Sequence, residues 1–248
     1  MCCCSCLFGS LPVASRWLLF RAVFACLRHA VGTSGSDAEV GPKKNWYLNV
    51  LPCSDSNVSF YDIYKDDNFP SLESDDLWII SGSEYSVYDD LTWLNSFKYK
   101  ILEAINRGKP ILGVCFGHQL LANVLGGTVV KNKLGWEVGY APIELTSNGS
   151  NSLLFNNFST SFYAAETHQD IVHELPAKCT ILAKNNMGIQ SFSYNDHIFG
   201  VQFHPEFNQK ILDCYIKLRS GSNIDIIYPN KKNINISSLI FKNFINKF

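Results

Sequence analysis

The stretch GVCFGHQLLANVLGG, residues 113–127, sets a cysteine between two glycines. A short apolar run, ILGV, leads into it, and an amphipathic run follows. A strand that turns sharply into a helix can hold one side chain up at the turn, but only with small neighbours. Gly113 and Gly117 supply them, in the arrangement of a G-x-S-x-G elbow with sulfur in place of oxygen. The helix beyond would aim its N-terminal dipole and free N–H groups at Cys115, favouring the thiolate. The backbone N–H of Phe116 would face the oxyanion of an attacked carbonyl. A free cysteine is also a common buried apolar residue, so the elbow alone leaves a nucleophile and a core thiol both open.

A second stretch, GVQFHPEF (200–207), favours the nucleophile. Pro205 disfavours helix at the residue before it, so His204 should be extended. Residues two apart in an extended chain point to the same side. Glu206 can then fix the tautomer of His204, and His204 can serve Cys115 as base and acid, a Cys–His–Glu form of the triad. The other histidines (His29, His118, His168, His173 and His197) read mostly as core or surface residues. A third stretch, SGSEYSVYDD (81–90), follows an apolar run with small residues. Around Gly82 its backbone N–H groups can approach a substrate carbonyl closely.

The elements that must carry these residues alternate. WYLNVLP reads as a short helical segment, VSFYDIY (58–64) as a strand, and DLWIISGS (76–83) as a buried strand entering a tight loop. Leu94, Phe97, Ile101 and Ile105 recur at helical spacing, and Arg107-Gly108 closes that helix. ILGV is the next strand. Leu120, Leu121, Val124 and Leu125 mark a helix ended by Gly126-Gly127. APIEL, SFYAAE, CTILAK, IQSFSY and HIFGVQFH then read as strands separated by turns at Asn148-Gly149 and Asn195-Asp196. ILDCYIKL (211–218) reads as the final packed helix. Alternating strands and helices imply an α/β fold, a mainly parallel sheet with helices on both faces.

In order, the stretches IISGSEYSVYDD, PILGVCFGHQLLANVLGG, GWEVG, THQDIVHELP and GVQFHPEF resemble the class I glutamine amidotransferase superfamily. The resemblance covers roughly residues 44–220. It implies a flavodoxin-like sheet and a triad of Cys115, His204 and Glu206. It implies an oxyanion hole on the backbone of Gly82 and Phe116. Its γ-glutamyl pocket would involve Gln119, backbone around Gly135 and Trp136, and the His168-Gln169-Asp170 stretch. Such enzymes attack the γ-carbonyl of a glutamyl group, release ammonia or an amine, and hydrolyse the thioester to glutamate. That step needs no metal or organic cofactor. Plant γ-glutamyl peptidases share the SGS loop, the CFGHQ elbow and a stretch like THQD, so glutamine and a γ-glutamyl peptide are both candidate substrates. No Gly-rich ATP loop or synthetase segment is found, so a separate synthetase subunit would have to take up released ammonia. The third reading, a catalytically inactive binding or regulatory member, draws only on the N-terminal region.

That region differs from the rest. Residues 1–42 contain no Asn, Lys or Ile, and the first 36 residues contain no Asp or Glu but do contain Arg16, Arg21 and Arg28. They read as an atypical extension ahead of a 43–248 amidotransferase-like domain: a targeting segment, a wrongly assigned start, or a divergent first strand. Only LLFRAVFAC is available for the family's first strand, and it matches poorly. The 248 residues carry a net charge of -1, which gives no footprint for nucleic acid or an anionic membrane. Five of the nine cysteines crowd the N-terminus (Cys2, Cys3, Cys4, Cys6 and Cys26) and the others are scattered, a pattern of reduced thiols that points to the cytosol. The alternative is the mitochondrion, if residues 1–42 are a transit peptide.

Overall fold

The structure is a computed structural model and describes residues 22–26, 40–54, 57–66, 69–73, 77–219, 226–227 and 238–248. The expectations on the N-terminal cysteines and arginines, Cys26 excepted, lie outside these residues. In chain order the first half runs β1 (Ala22–Cys26), α1 (Lys43–Leu48), β2 (Val58–Asp62), α2 (Ile63–Asp66), β3 (Leu77–Ile80), α3 (Thr92–Asn106), β4 (Ile111–Val114) and α4 (Phe116–Val124). The second half runs β5 (Thr128–Lys131), β6 (Glu137–Leu145), α5 (Ser147–Ser150), β7 (Ser161–His168), β8 (Asp170–Glu174), β9 (Thr180–Asn185), β10 (Gly188–Tyr194), β11 (Ile198–Val201), α6 (Gln209–Arg219), β12 (Ile226–Ile227) and α7 (Leu239–Lys247).

The main sheet has the order β12-β6-β9-β10-β11-β4-β3-β1-β2, with β7 paired to β6. From β11 to β2 every pairing is parallel; β9 and β10 turn the sheet antiparallel. Residues 22–26 thus supply a strand between β2 and β3. The central parallel strands β3, β4 and β11 are buried along their whole length because both faces are covered, whereas the edge strand β2 ends on the exposed Asp62. Leu77 and Ile79 of β3 pack with Leu112 and Val114 of β4 against Tyr47, Phe241 and Phe244. Trp78 and Ile80, pointing the other way, pack with Ile111 against Leu94, Phe97 and Leu120. Period-two alternation therefore divides one apolar run between two cores.

Helix α3 stops where the sequence says it should. Gly108 has φ +72°, its N–H bonds Ile105 O, and the next N–H reaches Ala104 O, which is a Schellman closure. Gly126 ends α4 in the same way, with φ +96° and with Gly127 N–H on Ala122 O. Three expectations need correction. The 58–64 strand ends at Asp62, and Ile63 is already in α2. Asn148-Gly149 lies in the one-turn helix α5, because Thr146 Oγ1 caps the Gly149 N–H at 3.0 Å. The last packed helix is α7, not residues 211–218. Its Ile240, Phe241, Phe244 and Ile245 form a helical stripe buried in the core, and Asn243 donates to Leu154 O and Asn156 O.

Phe241 is fully buried and meets the ring of Tyr47 edge-on at 5.7 Å. Phe241→Ala should cost about 3–5 kcal/mol in chemical denaturation at unchanged m-value; a loss below about 1 kcal/mol would remove α7 from the core. A chain begun at Lys43 lacks β1, a strand inside the sheet. It should lose cooperative melting, and an unchanged melt would make the strand dispensable.

Candidate active site

Strand β4 and helix α4 meet at Cys115, which has φ 52° and ψ −102°. A non-glycine residue there stores strain of about 1–3 kcal/mol. The flanking glycines are needed for a different reason, close approach. A Cβ at Gly113 would lie 2.3 Å from Gly117 O, and one at Gly117 would lie 2.3 Å from Ile80 O. The expected elbow is therefore built backbone on backbone. Its thiol is not a resting thiolate, however. Burial pushes the Cys115 thiol well above its ordinary range, and the Glu166 and Glu206 charges add to that. Lys43 and the Phe116 N–H act in the opposite, expected direction but are outweighed.

His204 follows β11 and is held by its N–H on Ala165 O at 2.8 Å. Its Nδ1 lies 2.7 Å from Glu206 Oε1, while Nε2 is buried with no hydrogen-bond partner. Phe207 stacks on the ring at 4.1 Å between centroids, and Tyr47 donates to Glu206 Oε1 at 3.3 Å. Gly82 fills the space between the two chemistry-bearing residues. A Cβ there would sit 3.0 Å from His204 Cε1 and 3.9 Å from Cys115 Sγ. The Lys43 ammonium donates to Gly82 O at 2.5 Å and so fixes that loop.

Cys115 and His204 open into a cavity of about 370 Å³. Gln119, Trp136, His168, Gln169 and Asp170 line it. Gly135 does not; it turns the chain before Trp136 with φ +93°. Gln119 is 3% exposed, and its amide donates to Asp170 O at 2.8 Å and Gln202 Oε1 at 3.1 Å. The Asp170 carboxylate accepts from Ser86 Oγ at 2.5 Å and Tyr88 OH at 3.0 Å.

The family model for class-I glutamine amidotransferases matches residues 43–216. The chain belongs to this family. Gamma-glutamyl peptidase 3 of Arabidopsis thaliana is 32% identical over 163 residues, which are 61% of this chain and 65% of the relative. The chain thus spans just under two thirds of that peptidase. A glutamine-hydrolyzing GMP synthase subunit of Sulfurisphaera tokodaii is 38% identical over 137 residues, 54% of this chain and 69% of that one. Two solved structures share the fold. A glutamine amidotransferase from Thermotoga maritima has a TM-score of 0.62 at 23% identity, covering 92% of this chain and 93% of its own. A glutamine amidotransferase from Methylobacillus flagellatus has a TM-score of 0.68 at 16% identity, covering 92% and 95%.

In this class-I family member the floor of the cavity rests on a buried charge cluster that the sequence reading missed. Strands β6 and β7 pair Glu137 directly opposite His168. His168 Nε2 lies 2.9 Å from Glu137 Oε2 and 3.3 Å from Glu166 Oε2, and Nδ1 lies 3.0 Å from Asp170 O. A carbonyl oxygen can only accept, so Nδ1 carries a proton. The Glu137 carboxylate faces Nε2, so the ring is held as the imidazolium. Desolvation lowers the His168 pKa, but Glu137 and Glu166 outweigh it and raise it to about 10. Burial, helped by the Glu137 charge, raises Glu166 to about 8. Among the described residues these three are the group able to converge on a metal ion, with ligand atoms within 4.8 Å of one another. Asn185 and Gln190 already donate to the two Glu137 oxygens, at 2.7 and 3.1 Å. Glu137 is thus satisfied as a hydrogen-bonded ion pair with His168, whereas the Glu166 oxygens are buried without a hydrogen-bond partner and meet His168 only through the 3.3 Å contact. His118 is a neutral core residue, as expected: burial lowers its pKa to about 3.

Tyr47 and Lys43 were also missed, because the WYLNVL helix offers no local motif for what it touches. Folding keeps protons on Glu166 and His168 that the unfolded chain releases near 4.5 and 6.5. Their stabilisation is therefore full below those values and lost as pH rises through about 8 and about 10. Tm should fall between about pH 7 and about pH 9, above the range in which His118 titrates. Glu166→Gln should flatten the slope; an unaltered slope would mean that another group releases the proton.

Proposed function

We propose that this protein hydrolyses a γ-glutamyl amide through a glutamyl thioester on Cys115. The observation that carries this reading is the state of His204. One ring nitrogen is tied to Glu206 at 2.7 Å, the other has no partner, and the ring lines the same cavity as the strained cysteine. With Nδ1–H donated to Glu206, Nε2 is the basic nitrogen. It takes the Cys115 proton as sulfur attacks the γ-carbonyl, and the oxyanion develops toward the backbone of Gly82 and Phe116. When the C–N bond breaks, His204 returns that proton to the leaving nitrogen. Water, deprotonated by the same ring, then cleaves the C–S bond, yielding glutamate and the free thiol. A buried, protonated thiol suits this order, because transfer to His204 accompanies attack and does not precede it.

Glutamine is the first substrate in this reading, with ammonia passed to a separate synthetase subunit in the cytosol. A γ-glutamyl peptide is the second. It is favoured by the cavity of about 370 Å³, within the roughly 300–1,000 Å³ range of sites for drug-sized ligands. The name of the Arabidopsis relative points the same way.

Purified protein should release glutamate from glutamine or from glutathione. Cys115→Ala and His204→Ala should each lower kcat by roughly three orders of magnitude or more with unchanged far-UV circular dichroism. Glu206→Gln should retain partial activity, since Glu206 orients the base without making or breaking a bond. Normal turnover by Cys115→Ala would refute the thioester route. Failure of a well-folded wild-type protein to react with a γ-glutamyl diazo-ketone would favour a binding or regulatory role.

A further inference from the structure

The far wall of the cavity carries a cation that the triad does not use. Arg219, the last residue of α6, lines the same cavity as Cys115 and His204. Its guanidinium carbon lies over the Trp136 ring, 3.8 Å from the centroid. That contact orients the planar fork without using its hydrogen-bond donors. No carboxylate pairs with it among the described residues, and its Nε is buried with no hydrogen-bond partner. Of the acids lining the cavity, Asp170 is occupied by Ser86 and Tyr88, and Glu84 makes no ion pair among the described residues. Burial lowers the pKa of Arg219, with no opposing charge offsetting it. A half-buried guanidinium held over an aromatic ring, with no acidic partner among the described residues, is matched to a carboxylate that arrives with the ligand.

The position of α6 indicates which carboxylate. His204 must face the leaving nitrogen to protonate it. Phe207 stacks on His204 at 4.1 Å, and Tyr215 of α6 stacks on Phe207 at 5.1 Å. Arg219 follows Tyr215 by one helical turn, beside the exposed Leu218 at the mouth. This stack ties Arg219 to the His204 end of the cavity, from which a carboxylate on the leaving group is the partner within its reach.

Resting on the hydrolase reading above, we propose that Arg219 binds the carboxylate of the leaving group. The substrate class is then a γ-glutamyl peptide with a free C-terminal carboxylate, and not glutamine alone. The test uses the full chain carrying Cys115→Ala, so that binding is read without turnover. S-methylated γ-glutamylcysteinylglycine is titrated calorimetrically as the free acid and as its C-terminal amide. The free acid should bind about tenfold more tightly or better, as expected for a charge-assisted pair. Adding Arg219→Leu should bring the acid-to-amide ratio close to one. Arg219→Lys, which keeps the charge without the fork, should give an intermediate ratio and serves if the leucine variant fails to fold.

A ratio near one before Arg219 is changed, a ratio that survives Arg219→Leu, or no measurable binding of either form overturns the proposal. A third ligand, with 4-aminobutanoyl in place of γ-glutamyl, lacks the α-carboxylate. If Arg219→Leu abolishes discrimination against that ligand and leaves the acid-to-amide ratio standing, Arg219 reads the glutamyl end and the assignment is wrong. Glutamate release by the wild-type protein is followed in parallel. Absence of release with an Arg219-dependent ratio intact would sink the hydrolase reading and not the carboxylate site.

Discussion

Three backbone segments cross at van der Waals contact beneath Cys115, and the rest of the site depends on that crossing. Ile80 O occupies the place of a side chain at Gly117, and Gly117 O occupies the place of one at Gly113. Strands β3 and β4 and helix α4 are thereby locked in one register. The lock turns Cys115 to positive φ and brings the loop after β3, with Gly82, against the ring of His204. Strand β11, paired in parallel to β4, delivers His204 from the other side. A single methyl group at either glycine would have to part main chains, which is far costlier than moving a side chain.

The electrostatics of the site are layered around this frame. Glu206 sits behind the His204 ring, and the Glu137–His168–Glu166 cluster sits behind the cavity floor. His168 holds Asp170 O, and Gln119 from α4 holds the same oxygen. The backbone facing the cavity is thus fixed from two elements by donors that are themselves buried. Such a floor is preorganised: its hydrogen bonds are made before a ligand arrives. Arg219, at the other wall, is the contrasting case, oriented by Trp136 yet with donors to spare.

What the sequence made legible was local. The elbow follows from glycine spacing around one cysteine, His204 and Glu206 from a proline between them, and two helix ends from Gly108 and Gly126. The buried strands follow from short apolar runs. What it hid was set by register between distant strands. Glu137 and His168 become partners only because β6 and β7 pair residue against residue over their length. The two-stranded sheet of β5 and β8 joins segments far apart in the chain. Helix α7 follows an Asn- and Lys-rich stretch, and its stripe of four apolar residues is too short to stand out from that composition. Strand β1 lies in a segment whose composition sets it apart from the family pattern.

The state of the thiol has a consequence beyond the chemistry it would perform. Peroxides and disulfides are attacked by thiolates and hardly at all by thiols. Cys115 is 6% exposed, and burial holds its proton on. The resting sulfur is therefore a poor target for oxidants. The burial that locks this cysteine into its turn also keeps it chemically quiet.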